Sequence, residues 1–530
     1  MKICLNLTGF VMSLMMGLFL FTGCEKDELI SPLSKGNVDV DINHAPKPPK
    51  GTFFYALSSS NELIGYTSGN PLKEESAISI LGLASGESML AIDFRPATGQ
   101  LYGVSSNSRL YIINTTSGAT TPVGTSSFSP AINGTMVGFD FNPTVDRIRL
   151  VTNNEQNLRL NPESGAVVAT DGNLNPGDRT VVAVAYTNSF AGTATTTLYD
   201  IDLSDDMLYK QTPPNNGTLE AVGPLGLFAT GEGGFDISPD NSVAIAVLFG
   251  RDDDDENQEE FSNGNKTRFY YINLQTGEAT NAGKPDRDIV GIAIPSNPVA
   301  YAIDLSNQLV IFNPMNPGTP VKKAIAGLQT DEVILGIDMR PASSQLYGLG
   351  SSSRIYTINM ANGMATAVNA TPFTPALNGS SFAFDFNPQA DRIRVISNAG
   401  QNLRIVPSTG MMGAVDVSLN PGTPNVDAAA YANNFAGTTS TTLYDVDYTT
   451  DKLYTQTPPN NGTLIEVGNL NINADSGNGF DIGSTSGAAM AMFTTGSQTK
   501  IYSISLSSGA ANAVSSFPEK VKGFTLGLGF

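Results

Sequence analysis

Along most of the chain, apolar residues come in short runs of alternating or continuous pattern, each cut off by Gly, Pro, Asn, Asp or Ser within a few positions. This is the pattern of β-strands joined by tight turns, with no stretch of helical period. The segment AIDFRPATGQLYGVSSNSRLYIINTTSGATTPVG shows the unit most clearly. It alternates in LYGV and RLYIIN and turns at Ala97-Thr98-Gly99 and Thr116-Ser117-Gly118, which divides it into four strands. Similar units begin near Met89, Met136, Val181 and Gly233. Four strands in about 40 to 45 residues is the spacing of a β-propeller blade, so the pattern predicts an all-β fold of propeller-like units.

A longer repeat overlies the short one. IDFRPATGQLYG at 92–103 returns as IDMRPASSQLYG at 337–348, FDFNPTVDRIR at 139–149 as FDFNPQADRIR at 384–394, and QTPPNNGTL at 211–219 unchanged at 456–464. Arg95 recurs as Arg340, Asp140 as Asp385 and Gln211 as Gln456, a constant offset of 245 residues. Such registration indicates duplication of a whole domain, with copies at 52–295 and 296–530. Copy one starts at TFFYALSSSNELIGY with no strand before it, whereas the matching segment of copy two, DIVGIAIPSNPVAYAIDLSNQLVIF, carries one at Ile289 to Ile294. The closing residues KVKGFTLGLGF resemble that strand. A late strand that completes the first sheet of its copy hides edges that would otherwise be exposed. The expectation is two five-bladed rings, closed by 286–295 and 520–530, with one ten-bladed ring as the alternative.

At FDFNP-x-x-DRIR, NLR, NNFAGTTSTTLYD and QTPPNNGTL the chain resembles the domain of unknown function 4394 family, found in bacterial secreted proteins. The resemblance spans both copies. It implies a propeller-like fold and export, and brings no activity or catalytic residues.

The N-terminus reads as an address. Lys2 precedes an apolar run from Leu7 to Phe21, shorter than the roughly 18 residues of a membrane span, and Phe21-Thr22-Gly23-Cys24 resembles a lipobox. Residues 1–23 are therefore expected to be a lipoprotein signal peptide, Cys24 the lipidated residue, and 24–51, with Pro32, Pro46, Pro48 and Pro49, a tether. Glu25-Lys26-Asp27-Glu28 is similar to tracts that send some lipoproteins to the outer cell surface, and equally suits a solvated start to the tether. The expected location is the cell envelope, as an outer-membrane lipoprotein held to the membrane by its lipid alone.

Composition narrows the chemistry. Both cysteines, Cys4 and Cys24, and the single histidine, His44, precede the repeats, which removes imidazole triads, thiol nucleophiles and Cys/His zinc sites from the folded part. A formal charge of −20 with no basic patch speaks against nucleic acid as partner. Two sets of residues remain. Arg147, Arg149, Asn157 and Arg159, repeated as Arg392, Arg394, Asn402 and Arg404, form a candidate anion-binding cluster; the competing reading is a charged lock between blades, with Asp140 and Asp146, or Asp385 and Asp391, as partners. Asp93, Asp140 and Asp236, with Asp338, Asp385 and Asp481, recur in first strands. They suit either convergence on a channel, where acids hydrolyse glycosides or ligate calcium, or a repeated hydrogen-bonding device of the backbone. Asp200, Asp202, Asp445 and Asp447 take the same two readings. The acidic run Asp252–Glu256, continuing to Glu260, occurs only in copy one, where Tyr270 meets its counterpart Tyr502 at an offset of 232; it reads as a solvated loop. QTPPNNGTL reads as a rigid hairpin turn, and the absence of Trp lowers the case for a sugar-stacking platform.

The expected function is a non-enzymatic surface module that binds a protein or glycan, without cofactor. The alternative is a carboxylate-dependent hydrolase or a calcium-dependent lactonase.

Overall fold

In a computed structural model of the chain, the described residues are 51–252 and 267–530. The expected signal peptide, Cys24, His44 and nearly all of the tether lie outside them, as does most of the acidic run. The described residues form ten four-stranded antiparallel sheets and no α-helix.

Each sheet has a lead strand at one edge, and its other strands follow as successive hairpins. The lead strands of the first copy are Met89–Arg95, Val137–Asn142, Val181–Tyr186, Leu227–Ile237 and Ile289–Ala293. Those of the second are Ile334–Arg340, Phe382–Asn387, Val426–Tyr431, Ser476–Ile482 and Val521–Leu526. Ile289–Ala293 pairs with Phe53–Ser58, and Val521–Leu526 with Ala300–Asp304, so in each copy the last strand joins the sheet that the first strands began. Within the first copy each lead strand packs against the next, and Ile289–Ala293 packs against both Leu227–Ile237 and Met89–Arg95. The second copy repeats this, with Val521–Leu526 against both Ser476–Ile482 and Ile334–Arg340.

The core follows from this arrangement. The lead strands are buried on both faces, which is why VVAVAY reads as a continuous apolar run and not as alternation, and why VDAAAY is apolar but for the buried Asp427. Instead of one central core, an apolar layer fills each gap between successive sheets. Leu57 and Leu63 meet Met89 and Phe94 in one such layer, Tyr102 and Val104 meet Phe139 and Leu150 in the next, and Phe54 and Ile64 meet Phe269 and Ile292 where the order returns to its start. In the second copy the corresponding layer sets Phe312 against Phe517 and Phe524, at ring-centroid distances of 4.6 and 6.3 Å.

The copies meet through their equivalent turns. Arg95, 0% exposed, forks onto Asp146, with Nε–Oδ1 at 2.8 Å and Nη2–Oδ2 at 2.5 Å, and its Nη1 reaches the Ser344 carbonyl at 3.2 Å. Ser344 Oγ donates to Gln100 Oε1, Gln345 to Glu163, and the Tyr301 hydroxyl to the Ala97 carbonyl. The Gly529 amide donates to Thr98 O at 2.8 Å. A Cβ on Gly529 would stand 2.0 Å from the Gly99 carbonyl oxygen, so this approach of two backbones requires glycine.

Deletion of residues 520–530 is expected to make the second copy protease-sensitive at temperatures where the intact chain resists, while the first copy stays resistant. Phe524 alone, 3% exposed, represents about 3–5 kcal/mol of packing. Limited proteolysis with temperature checks this, and equal resistance of the truncated chain would show that the late strand is no seal.

Candidate functional site

The arginine cluster is built by a cross-strand pair. In the second copy Arg394, on Arg392–Ser397, lies opposite Arg404, on Asn402–Ile405. Two guanidinium groups side by side repel, and Asp416, directly after the neighbouring strand Met412–Val415, bridges them. Its Oδ2 accepts from Arg394 Nη1 at 2.6 Å and Arg404 Nε at 2.7 Å, and its Oδ1 from Arg404 Nη2 at 2.8 Å. The rest of the Arg394 fork crosses to the next sheet, where Nε donates to the Tyr431 hydroxyl at 3.2 Å and Nη2 to Asn460 Oδ1 at 3.0 Å. Asn402 accepts from Arg394 at 2.7 Å and donates to the carbonyls of Val417 and Pro459.

The first copy repeats the pattern with Arg149, Arg159, Asp171, Asn157 and Asn215, with Arg149 to Asp171 at 2.7 Å. The second arginine of RIR, the asparagine and arginine of NLR and the first asparagine of QTPPNNGTL are thus members of one lock between adjacent sheets. The PPNN turn supplies it with a carbonyl and an amide, and is itself held by the Gln456 amide on Pro459 O.

The carboxylate partner differs from the sequence expectation. Arg149 and Arg394 use Asp171 and Asp416. Asp140 lies opposite Arg149 across the sheet but forms no ion pair with it, and Asp146 and Asp391 are taken by Arg95 and Arg340. Asp171 and Asp416 recur at the same offset of 245, and that recurrence was the available signal for them.

Not all of the cluster is locked. Arg394 is 2% exposed but Arg404 is 35% exposed, and Arg392 donates only to the backbone carbonyls of Asp391 and Ala390. Arg392, Arg394 and Arg404 line one pocket of about 250 Å³ with Tyr431, Thr441 and Asn460.

The recurring acids of the lead strands do converge. Asp93, Asp140 and Asp236 each bring a carboxylate oxygen within 4.8 Å of the other two, as do Asp338, Asp385 and Asp481; all six are 1–3% exposed. They are also hydrogen-bonded to backbone. Asp93 accepts from its neighbour Phe94 N at 2.7 Å and from Phe141 N, on the next lead strand, at 2.8 Å. Asp236 bonds Ile237 N and Ile294 N, and Asp338 bonds Met339 N and Phe386 N. Asp385 accepts from Tyr431 N, and Asp481 from Ile482 N and Leu526 N. Both sequence readings therefore describe the same residues. Burial pushes all six carboxyls above their ordinary range, and like charge adds to this for Asp93, Asp140, Asp338 and Asp385 while the amides oppose it; Asp236 reaches about 7 and Asp481 about 6.

Asp202 and Asp447 are the backbone devices expected of them, accepting from Thr180 and Ser204, and from Asn425 and Thr449. Asp200 and Asp445 are not. Both are 0% exposed, and neither oxygen of either has a hydrogen-bond partner among the described residues. Burial raises both, against the pull of Arg149 and Arg394, and carries Asp445 to about 8.

These features define a class: an all-β protein of two tandem copies, each of five four-stranded sheets whose lead strands are tied by buried acids and a repeated arginine lock. The chain belongs to the family described as Domain of unknown function (DUF4394), which matches it over residues 62–293 and 308–525. No curated protein matches it. A solved structure of PorZ, described as an essential bacterial surface component of the type-IX secretion system of Porphyromonas gingivalis, is similar at 13% identity and a TM-score of 0.25. The similarity covers 88% of this chain and 60% of that one, so the chain spans less than two thirds of PorZ. No helix among the described residues is long and apolar enough to cross a membrane.

Asp445→Asn tests the orphan carboxyl. A folded value raised from 3.8 to about 8 means that the native state binds the proton more tightly, so wild-type stability declines as pH rises from about 4 to about 8. The variant is expected to match wild type at pH 4 and to melt several degrees higher at pH 8, an increment on the order of a few kcal/mol read by calorimetry. A gain that is constant across pH would place the effect elsewhere.

Proposed function

We propose that the protein is a non-enzymatic binding module of the cell envelope, in which each copy is a five-bladed β-propeller and the arginine pocket takes an anionic glycan. The cyclic packing of five lead strands within each copy supports two rings over one of ten blades. The apolar run from Leu7 to Phe21, followed by Thr22-Gly23-Cys24, supports a lipoprotein anchored by Cys24 in the outer membrane, with the propellers held outside the bilayer.

The observation that carries the ligand reading is the charge of the pocket. Three guanidinium groups line the pocket and one carboxylate, Asp416, pairs with two of them, Arg394 and Arg404, leaving an excess of two positive charges in a chain of formal charge −20. Arg392 and the exposed side of Arg404 have donors to spare, and Asn460, Thr441 and Tyr431 add the neutral polar groups that sugar hydroxyls need. The carboxylates that a hydrolase would use are 1–3% exposed and, for the most part, committed to backbone amides. This favours binding over turnover.

An array of neutral and acidic glycans probed with the purified chain tests the reading. Saturable binding confined to carboxylated or sulfated glycans is expected, weakening as salt is raised. The double variant Arg147→Glu, Arg392→Glu, which leaves the buried Arg149 and Arg394 in place, should lose affinity tenfold or more with an unchanged melting temperature. Equal binding of neutral glycans, or indifference to the double variant, would refute it.

A further inference from the structure

We propose that Asp93, Asp140 and Asp236 together hold a hard divalent cation, of which calcium is the best fit, and that the second copy has replaced this ion by a hydroxyl-bridged proton. The inference is independent of the glycan pocket, which lies on other strands and uses other residues.

The donor set is the first ground. Three carboxylates reach one point from three lead strands, with ligand oxygens within 4.8 Å of one another. Calcium binds oxygen at about 2.3–2.6 Å, so two oxygens on one ion stand at most about 5 Å apart. The backbone amides already bound to Asp93 and Asp236 do not use up those groups, because each carboxylate oxygen has two acceptor sites. Carboxylate oxygens alone, with no nitrogen or sulfur donor, select calcium over the softer transition metals.

The second ground is an unused acceptor. Asp140 is 2% exposed, and its Oδ1 has no hydrogen-bond partner among the described residues. A buried charged oxygen without a donor is costly, and a cation shared with Asp93 and Asp236 would relieve both that cost and the repulsion of three like charges.

The third ground is the difference between the copies. Tyr55 pairs with Ala293 on the strand that completes the first copy, and its counterpart Tyr301 pairs with Thr525 on the strand that completes the second. Thr525 is 0% exposed, and its Oγ1 lies 2.9 Å from both Asp338 Oδ1 and Asp481 Oδ2. A hydroxyl carries one hydrogen, so both contacts are strong together only when one of the two carboxyls carries a proton and donates to Oγ1. The second cluster thereby neutralises part of its charge without a metal. Ala293 gives the first cluster no hydroxyl for such a bridge.

The test uses the full chain, purified without chelator and then split into chelated and calcium-supplemented samples. Elemental analysis of the untreated protein is expected to find close to one calcium per chain. Calcium chloride should raise the melting temperature of the chelated protein by several degrees, where magnesium chloride raises it less. Asp140→Asn should abolish both the bound calcium and the shift, whereas Asp385→Asn should keep both. Ala293→Thr, which imports the hydroxyl of the second copy, should fold and weaken calcium binding tenfold or more, and it keeps the test decisive if Asp140→Asn does not fold. The proposal is overturned by a melting temperature that ignores calcium together with metal-free protein. It is equally overturned by two calcium ions per chain, or by loss of the ion in Asp385→Asn but not in Asp140→Asn.

Discussion

The structure depends on a buried carboxylate that accepts the backbone amide of the neighbouring sheet. Sheets stacked face to face share apolar layers, and an apolar layer has no direction: it resists separation but not sliding. A carboxylate that takes one amide from its own strand and one from the next fixes the register of two lead strands. Asp93 does so onto Phe141, Asp338 onto Phe386, Asp236 onto Ile294 and Asp481 onto Leu526. The last two matter most, because they tie the strand that each copy adds last to the sheet that precedes it. Burying such a carboxylate is expensive. The cost is tolerated because both oxygens are bonded and because the carboxyl can take up a proton, as the upward displacement of all six implies.

Further from the lead strands the same problem is solved with the opposite charge. Arg149 and Arg394 are too long to end within a sheet, and their five donors are distributed over a carboxylate, two asparagines and a tyrosine drawn from two adjacent sheets. That the locking arginine is followed across the sheet by a second, half-exposed one makes the lock also a surface. A lock and a binding site are therefore not competing descriptions of this cluster: Arg394 is committed to structure, while Arg392 and Arg404 retain free donors on its rim.

Strand periodicity, the duplication and the late closing strands were legible in sequence because each is a one-dimensional signal: alternation, a constant offset, an unpaired apolar segment. The recurrence of Asp93, Asp140 and Asp236 was legible too, but not that hydrogen bonding and convergence would both hold, since that depends on how residues 47 and 96 positions apart come together. The partner of Arg149 was misplaced for the same reason. Asp140 and Asp146 are near in sequence, whereas Asp171 is brought in by the outermost strand. Asp200 and Asp445 stood out by recurrence, but their lack of partners had no signature, because an orphan carboxyl in LYDID and LYDVD looks like any strand acid until its surroundings are known.

The two copies preserve the same skeleton and differ in the surroundings of a few equivalent residues. Arg95 is sealed between the copies, while its counterpart Arg340 is 18% exposed and bonded within its own copy. The differing environments follow from one contact, since Ser344 approaches Arg95 but nothing equivalent covers Arg340 as fully. Ala293 and Thr525 differ likewise at the centre. Once a domain is doubled and its halves bound to each other, each half stabilises its partner, and a residue that must be kept in a lone domain is free to change in one of two. Divergence should then collect at positions where one copy already supplies the interaction, and the inter-copy turn is such a position. The arginine lock shows the converse: each copy needs its own to hold its own sheets, and its members Arg149, Asn157, Arg159, Asp171 and Asn215 recur in the second copy without a single exchange.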